Sequence, residues 1–255
     1  GVPASLFPPI HRAGERVGSY RDVPVHLVGS HDTASAVVAV PGVPGPGSAF
    51  VSSGTWVLVG AERPGPDTSE AARAANFSNE LGAMGGVRFL KNVMGFWMLE
   101  RCRAAWGDPP IEDVVDEAGA VDGPVPLVDA TDDRFLSPDD MEAEIRAAAG
   151  LDEGAGRAQV TRCILESIAH ATATVVDELG TFLDRPVEEL LVIGGGARMG
   201  LMNRLYGQHT GLPVRVGSPE ATALGNALVQ GIALGRYHDL DHARSSALPS
   251  AGVTP

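Results

Sequence analysis

The stretch from Val187 to Leu234 leaves few folds open. "VEELLVI" reads as an apolar strand, "ARMGLMNRLYGQHTG" as a helix, "LPVRVG" as a second strand and "SPEATALGNALVQGIALG" as a second helix. Strand, helix, strand and helix in that order bury their apolar faces by layering helices on parallel strands, which makes the chain α/β. Upstream, "AFVSSGTWVLVG" (49–60) holds two apolar runs split by Ser-Gly-Thr, the pattern of a hairpin with a tight polar tip. The pattern predicts a buried strand over 23–29, a short helix or turn over 33–40 and mostly loop over 61–88. A helix is expected over 90–106, another after the Ser137 cap with Pro138 at its first position, and a long amphipathic helix over 156–182, ending near Gly180. The Pro/Gly-rich start shows no element before about Val23 and reads as a linker.

The net charge of −13 argues against a nucleic-acid partner or an anionic membrane surface. No run of 18 apolar residues is present, so no membrane span is expected. The start lacks a charged-then-apolar leader pattern, and the two cysteines, Cys102 and Cys163, lack metal-ligand spacing. Reduced thiols and a cytoplasmic location are the expectation.

Three segments carry possible chemistry. In "LLVIGGGARMGLMNRL" a strand runs into Gly194-Gly195-Gly196 and then a helix. Such a bend lets backbone approach an anion, but an ordinary tight turn fits equally. The spacing is neither a Walker loop nor the dinucleotide G-x-G-x-x-G, so a dinucleotide fold is disfavoured. At the hairpin tip, Gly54 permits positive φ and Thr55 adds a hydroxyl, which together suit a phosphate; a plain β-turn is the competing reading. In "GSHDTASA", Asp32 stands between the predicted strand and helix, where a capping role is the simplest explanation.

Taken together and in order, these segments resemble the FGGY family of carbohydrate kinases, with the rhamnulokinase branch nearest. The resemblance rests on "SHDTASAV" (30–37), "SSGTW" (52–56), "NFSNE" (76–80), "LKNVMGFWMLE" (90–100), "DDRFLSPDDM" (132–141), "LLVIGGGARMGLMNRL" (190–205) and "PVRVGSPEATALGNALVQGIALG" (213–235). It implies an actin-like, ribonuclease-H-like fold, with this chain as the second of two domains that flank a cleft. Residues 1–22 would then be the remnant of an interdomain connector, 23–236 the nucleotide-binding domain and 237–255 a tail.

The resemblance also implies roles. Asp32 falls where the family has its catalytic base. Gly54 and Thr55 fall on the phosphate-binding hairpin. Asn92, Gly195 and Gly196 fall on positions that contact the nucleotide, and Asn203 in the segment near adenine. Glu100 stands where relatives tend to carry a Gln that helps bind ATP, and a carboxylate cannot donate as an amide does. ATP with Mg²⁺ is the implied cofactor, with Mg²⁺ on phosphate oxygens and few protein ligands; no protein metal ligand is assigned.

The expected reaction is phosphorylation of a ketose, L-rhamnulose to its 1-phosphate first, with a xylulose- or fuculose-type kinase or a non-catalytic nucleotide-binding module as alternatives. The expected partners are the sugar, ATP and an N-terminal kinase domain, without which the chain should be inactive. Surface normally covered by that domain could drive self-association into a homo-oligomer. His31 could tune Asp32 or touch the sugar, with a structural histidine as the plainer reading. Asn79, Glu80 and Lys91 are weaker candidates near the nucleotide, and Asp129, Asp132 and Asp133 read as a solvated, capping loop.

Overall fold

A computed structural model describes residues 3–152 and 154–247. In chain order the strands are β1 (Arg16–Tyr20), β2 (Val23–His26), β3 (Ser48–Ser53), β4 (Trp56–Arg63), β5 (Ser78–Leu81), β6 (Val87–Met94), β7 (Glu189–Ile193) and β8 (Val214–Val216). The α-helices are α1 (Asp32–Val38), α2 (Glu70–Ala74), α3 (Trp97–Ala105), α4 (Ile111–Gly119), α5 (Met141–Ala149), α6 (Arg157–Phe182), α7 (Gly200–Thr210), α8 (Ala221–Ala233) and α9 (Leu240–Ser246).

Six strands form one mixed sheet in the order β5-β6-β4-β3-β7-β8. The pairs β5/β6, β6/β4 and β4/β3 are antiparallel, whereas β3/β7 and β7/β8 are parallel. Alternation along each strand divides the core in two. Ala49, Val51, Val57, Val59, Phe89, Val93, Leu190 and Val192 face a larger core that also takes residues from α3–α7. Phe50, Leu58, Leu90, Leu191 and Ile193 face a smaller core with α1, α8 and α9. The tightest join in the second layer is between α1 and α8: a Cβ on Gly225 would stand 1.7 Å from the Ser35 carbonyl oxygen. Only glycine lets these two helix backbones approach so closely.

Several elements differ from the sequence expectation. β2 is exposed, because it pairs only with β1 in a two-stranded ribbon outside the main sheet. Its apolar run looked like a core strand, and its partner β1 lay inside the presumed linker. The region 61–88 holds α2 and β5, and 90–106 splits into the end of β6 and the shorter α3. The apolar residues of β6 fit both periods, and pairing with β4 decides between them. α5 starts at Met141, four residues after Ser137, and its cap is Asp140, whose carboxylate accepts from the Ala143 N–H at 3.0 Å. Beyond Arg236 the chain is more than a tail. α9 packs into the smaller core, and buried Arg244 donates to the Val37 and Val38 carbonyls and to Glu62. Residues 248–255 of the presumed tail lie outside the described residues.

Cys102 and Cys163 are free and buried. Burial pushes their thiols up to about 12 and about 11 respectively. The thiolate is the nucleophile, so both are protected chemically as well as sterically. A thiol reagent at about pH 8 should therefore modify the native chain slowly, and both cysteines quickly once the chain is denatured. Fast stoichiometric labelling of the folded chain would contradict this placement.

Candidate functional site at the carboxyl ends of the parallel strands

Strands β3, β7 and β8 run in the same direction, so their carboxyl ends share one edge, the usual ligand-binding edge of such sheets. β3 leads there into the Gly54–Thr55 tip, β7 into the glycine bend and β8 into Gly217–Ser218. The Gly194 N–H donates to the Ser218 carbonyl at 3.3 Å, tying the β7 and β8 ends together. Gly194 has φ +88°, the left-handed region that favours glycine.

The three glycines of the bend do different work. A Cβ on Gly196 would lie 2.4 Å from the Ser53 hydroxyl and 2.5 Å from the Phe96 ring, so Gly196 exists to let the bend pack on β3. Gly195 is exposed and has nothing within 4 Å of where a Cβ would be. Of the glycines singled out in the bend, Gly195 therefore borders open space, whereas Gly196 is walled in. Asn203 is also inward. It is 3% exposed, and its side-chain amide donates to the Ala197 carbonyl at 2.9 Å. Its position suits it to brace the bend from behind.

The hairpin tip is braced as well. Ser53, at the end of β3, shares a buried 3.0 Å hydrogen bond with the Tyr206 hydroxyl of α7. Burial holds that phenol well above its ordinary pKa, so it stays neutral. The Phe96 and Trp97 N–H groups, at the start of α3, donate to the Gly54 and Thr55 carbonyls at 3.1 and 3.0 Å. The tip thus satisfies amides that a helix start leaves free. The Gly54 N–H is occupied, donating to the Trp56 carbonyl at 3.2 Å. Gly54 is not among the residues with positive φ, and a Cβ there would meet only ordinary contact at 3.6 Å, so its expected conformational role does not hold. Among the described residues, neither the N–H nor the hydroxyl of exposed Thr55 has a hydrogen-bond partner. Thr55 rather than Gly54 supplies the free donors.

Asp32 opens α1, and its side chain is 75% exposed. Its Oδ1 accepts from the Thr33 N–H at 2.6 Å and the Thr33 hydroxyl at 3.3 Å, and lies 3.1 Å from the His31 Nε2. Among the described residues, no partner reaches Oδ2. The Asp32 carbonyl accepts from the Thr222 hydroxyl, in the first turn of α8, at 3.3 Å. Thr222 follows Ser218 by four residues, so Asp32 is anchored next to the end of β8. No hydrogen bond joins its carboxylate to either bend.

The remaining candidates sit on other elements. Asn92 is exposed on β6 opposite Leu58, on a strand and not on the expected helix. Glu100 is engaged by Arg103 at 2.7 Å on α3. Lys91 points to the opposite face of the sheet from Asn92 and pairs with Glu178 of α6 at 2.7 Å. Asn79 ties down the Asp67 backbone. Asp129 and Asp132 accept from nearby N–H groups of their own loop, as expected of capping residues. Among the described residues, no group of three or more His, Cys, Asp or Glu side chains is placed to hold a metal ion, and no helix is long and apolar enough to cross a membrane. Arg88, buried beside His31, is the site residue that sequence reasoning missed: within the β6 apolar run it gives no signal of its own.

The mixed sheet, its two helical layers and the glycine-lined edge define an α/β domain of the actin-like ATPase class. The sequence pattern described as the FGGY family of carbohydrate kinases, C-terminal domain, matches residues 49–234. The chain belongs to the FGGY family of carbohydrate kinases, as its C-terminal domain. It is 39% identical over 240 residues to a rhamnulokinase of Bacteroides thetaiotaomicron, covering 89% of this chain and 49% of that protein. It is 36% identical over 262 residues to a rhamnulokinase of Klebsiella pneumoniae, covering all of this chain and 54% of that protein. The chain thus spans about half the length of these relatives. Its fold matches a ligand-bound xylulose kinase from Lactobacillus acidophilus at a TM-score of 0.72 and 16% identity, over 100% of this chain and 54% of that one. It also matches a Plasmodium falciparum glycerol kinase with ADP at 0.65 and 14%, over 91% of this chain and 47% of that one.

Proposed function

We propose that this chain is the nucleotide-binding half of a cytoplasmic kinase that transfers the γ-phosphoryl group of ATP to a ketose, with L-rhamnulose and its 1-hydroxyl as the preferred acceptor. The observation that carries the reading is the shared edge: Thr55 with unclaimed donors, Gly195 bordering open space and Asp32 with an unclaimed oxygen, all beside the ends of β3, β7 and β8. The choice of rhamnulose rests on the printed names of the relatives at 36–39% identity.

Free N–H and O–H donors at Thr55, together with a gap at Gly195, fit a polyphosphate and its nucleoside. ATP supplies the phosphoryl group, and Mg²⁺ arriving with it would offset the phosphate charge without needing a cluster of protein ligands. Phosphoryl transfer asks the protein mainly for positioning and charge stabilisation. Asp32 Oδ2 accepts the proton of the sugar hydroxyl as its oxygen bonds to phosphorus and the bond to ADP breaks. Thr55 donates to phosphate oxygens, and the Ser53–Tyr206 and Asn203–Ala197 bonds keep both bends in place. The other wall of the cleft and most sugar contacts come from a second, N-terminal domain whose closure excludes water.

Two measurements test the proposal. Calorimetry on the chain itself should show ATP–Mg²⁺ binding that Gly195→Val weakens at least about tenfold, since the new side chain occupies the gap without touching the fold. Equal binding by the variant would put the nucleotide elsewhere. A coupled ADP-release assay with L-rhamnulose should find the chain alone essentially inactive and the two-domain enzyme active. Turnover of roughly 1 s⁻¹ or more from the chain alone would contradict the two-domain reading.

A further inference from the structure

The residue before Asp32 behaves oddly for its place. His31 holds the N-cap position of α1, with φ −111° and ψ 136°, yet its side chain makes no capping bond. A Ser, Thr, Asp or Asn there would accept from a free N–H of the first turn and stabilise the helix. The imidazole instead stands between two acids. Its Nε2 is 3.1 Å from Asp32 Oδ1, and its Nδ1 is 3.4 Å from Glu80 Oε2 and 3.3 Å from Arg88 Nη2. Arg88 Nη2 also donates to Glu80 Oε2 at 2.8 Å.

Arg88 makes this more than a surface contact. Its side chain is 2% exposed, and its Nη1 is buried without a partner. A buried, incompletely satisfied guanidinium is costly, and an apolar residue would pack more cheaply on β6. Arg and Glu80 come from paired positions on β6 and β5, so the pair is fixed by the sheet rather than by loop geometry. Arginine has only donors, so Arg88 can meet Nδ1 only where Nδ1 offers a lone pair. In a neutral ring that leaves the proton on Nε2, facing Asp32.

We propose that His31 is a positioning residue: Arg88, fixed by Glu80 on the sheet, holds its ring, and the Nε2 edge of that ring stands against Asp32 Oδ1 as a close polar contact, not an aligned hydrogen bond, which leaves Oδ2 as the oxygen that receives the sugar proton. This rests on the kinase reading of Asp32. Thr33 bonds Oδ1 through its N–H and hydroxyl, and the His31 ring stands 3.1 Å from the same oxygen, so the carboxylate is restricted although it is largely exposed. Without the ring, only the Thr33 bonds restrain the carboxylate, and it has more rotamers open to it.

The first test needs only the chain. Long-range proton–nitrogen correlation on ¹⁵N-histidine-labelled protein at about pH 8, with His31 assigned by loss of its signals in His31→Gln, should show Nε2 protonated. A bare Nε2 overturns the proposal. The second uses the two-domain enzyme. His31→Ala should lower kcat by on the order of 10²-fold, as a misplaced catalytic group does, with the KM for ATP unchanged. His31→Gln, whose amide N–H reaches the place of Nε2, should recover most of that loss. If Asp32→Asn abolishes turnover but His31→Ala stays within twofold of the parent, the positioning role is wrong and the base assignment stands. A loss confined to the KM for the sugar makes His31 a sugar contact and also overturns the role. If Asp32→Asn itself retains activity, the kinase reading of Asp32 is what fails.

Discussion

Asp32→Asn in the two-domain enzyme should lower turnover by roughly 10³-fold while leaving the KM for ATP within a few-fold of the parent. General-base contributions run from about 10² to 10⁴, and the amide keeps the carboxylate's shape but has no basic oxygen. The exposure of the side chain matters here. At 75% exposed it packs against little, so the substitution should not disturb folding. Its Oδ1 bonds to Thr33 can be kept by the amide oxygen, and what is lost is the negative charge and with it the proton affinity. The check is steady-state kinetics with melting curves of both proteins. Turnover within a few-fold of the parent, at equal stability, would remove Asp32 from the chemistry.

Gly225→Val should cause the largest loss of stability. Already at Cβ the substitution meets the Ser35 carbonyl oxygen at 1.7 Å, a backbone atom that cannot swing aside. α1 and α8 must separate, and overpacking of this kind costs about 3 kcal/mol. For a chain of this size that corresponds to a fall of roughly 6–12 °C in Tm. The damage should also reach the site, because α1 carries Asp32 and α8 carries Thr222, which holds the Asp32 carbonyl. Gly65→Ala is the control, with negative φ and nothing within 4 Å. A Gly225→Val protein within about 1 kcal/mol of the parent by urea titration would mean that the two helices do not cross as described.

The parts legible in the sequence are those where one period dominates. The β3–β4 hairpin, the long α6 and the β7–α7–β8–α8 succession follow from alternation, from an amphipathic stripe and from glycine breaks. β6 was not legible, since "VRFLKNVM" carries apolar residues at both spacings and only its partner β4 makes it a strand. The same ambiguity misplaced Asn92. β2 looked buried because four residues cannot show whether a partner sheet exists. In the site, the glycine bend was legible as a bend, but not the division by which Gly196 packs on Ser53 and Gly195 stays open. That division depends on residues more than 100 positions away. Gly54 suggested a special backbone; the free donors belong to Thr55, because a contact with Trp56 consumes the Gly54 N–H. The Arg88–His31 contact joins β6 to the start of α1 across 57 positions, and no local pattern announces it.

The most direct test of the nucleotide-edge assignment is a crystal structure of the two-domain enzyme with a non-hydrolysable ATP analogue, Mg²⁺ and a ketose. The expected result places the phosphates against the Thr55 N–H and hydroxyl, the nucleoside over Gly195, and Asp32 Oδ2 within about 3 Å of the acceptor hydroxyl. A nucleotide bound away from both bends, or Asp32 facing solvent with the sugar in place, would contradict it.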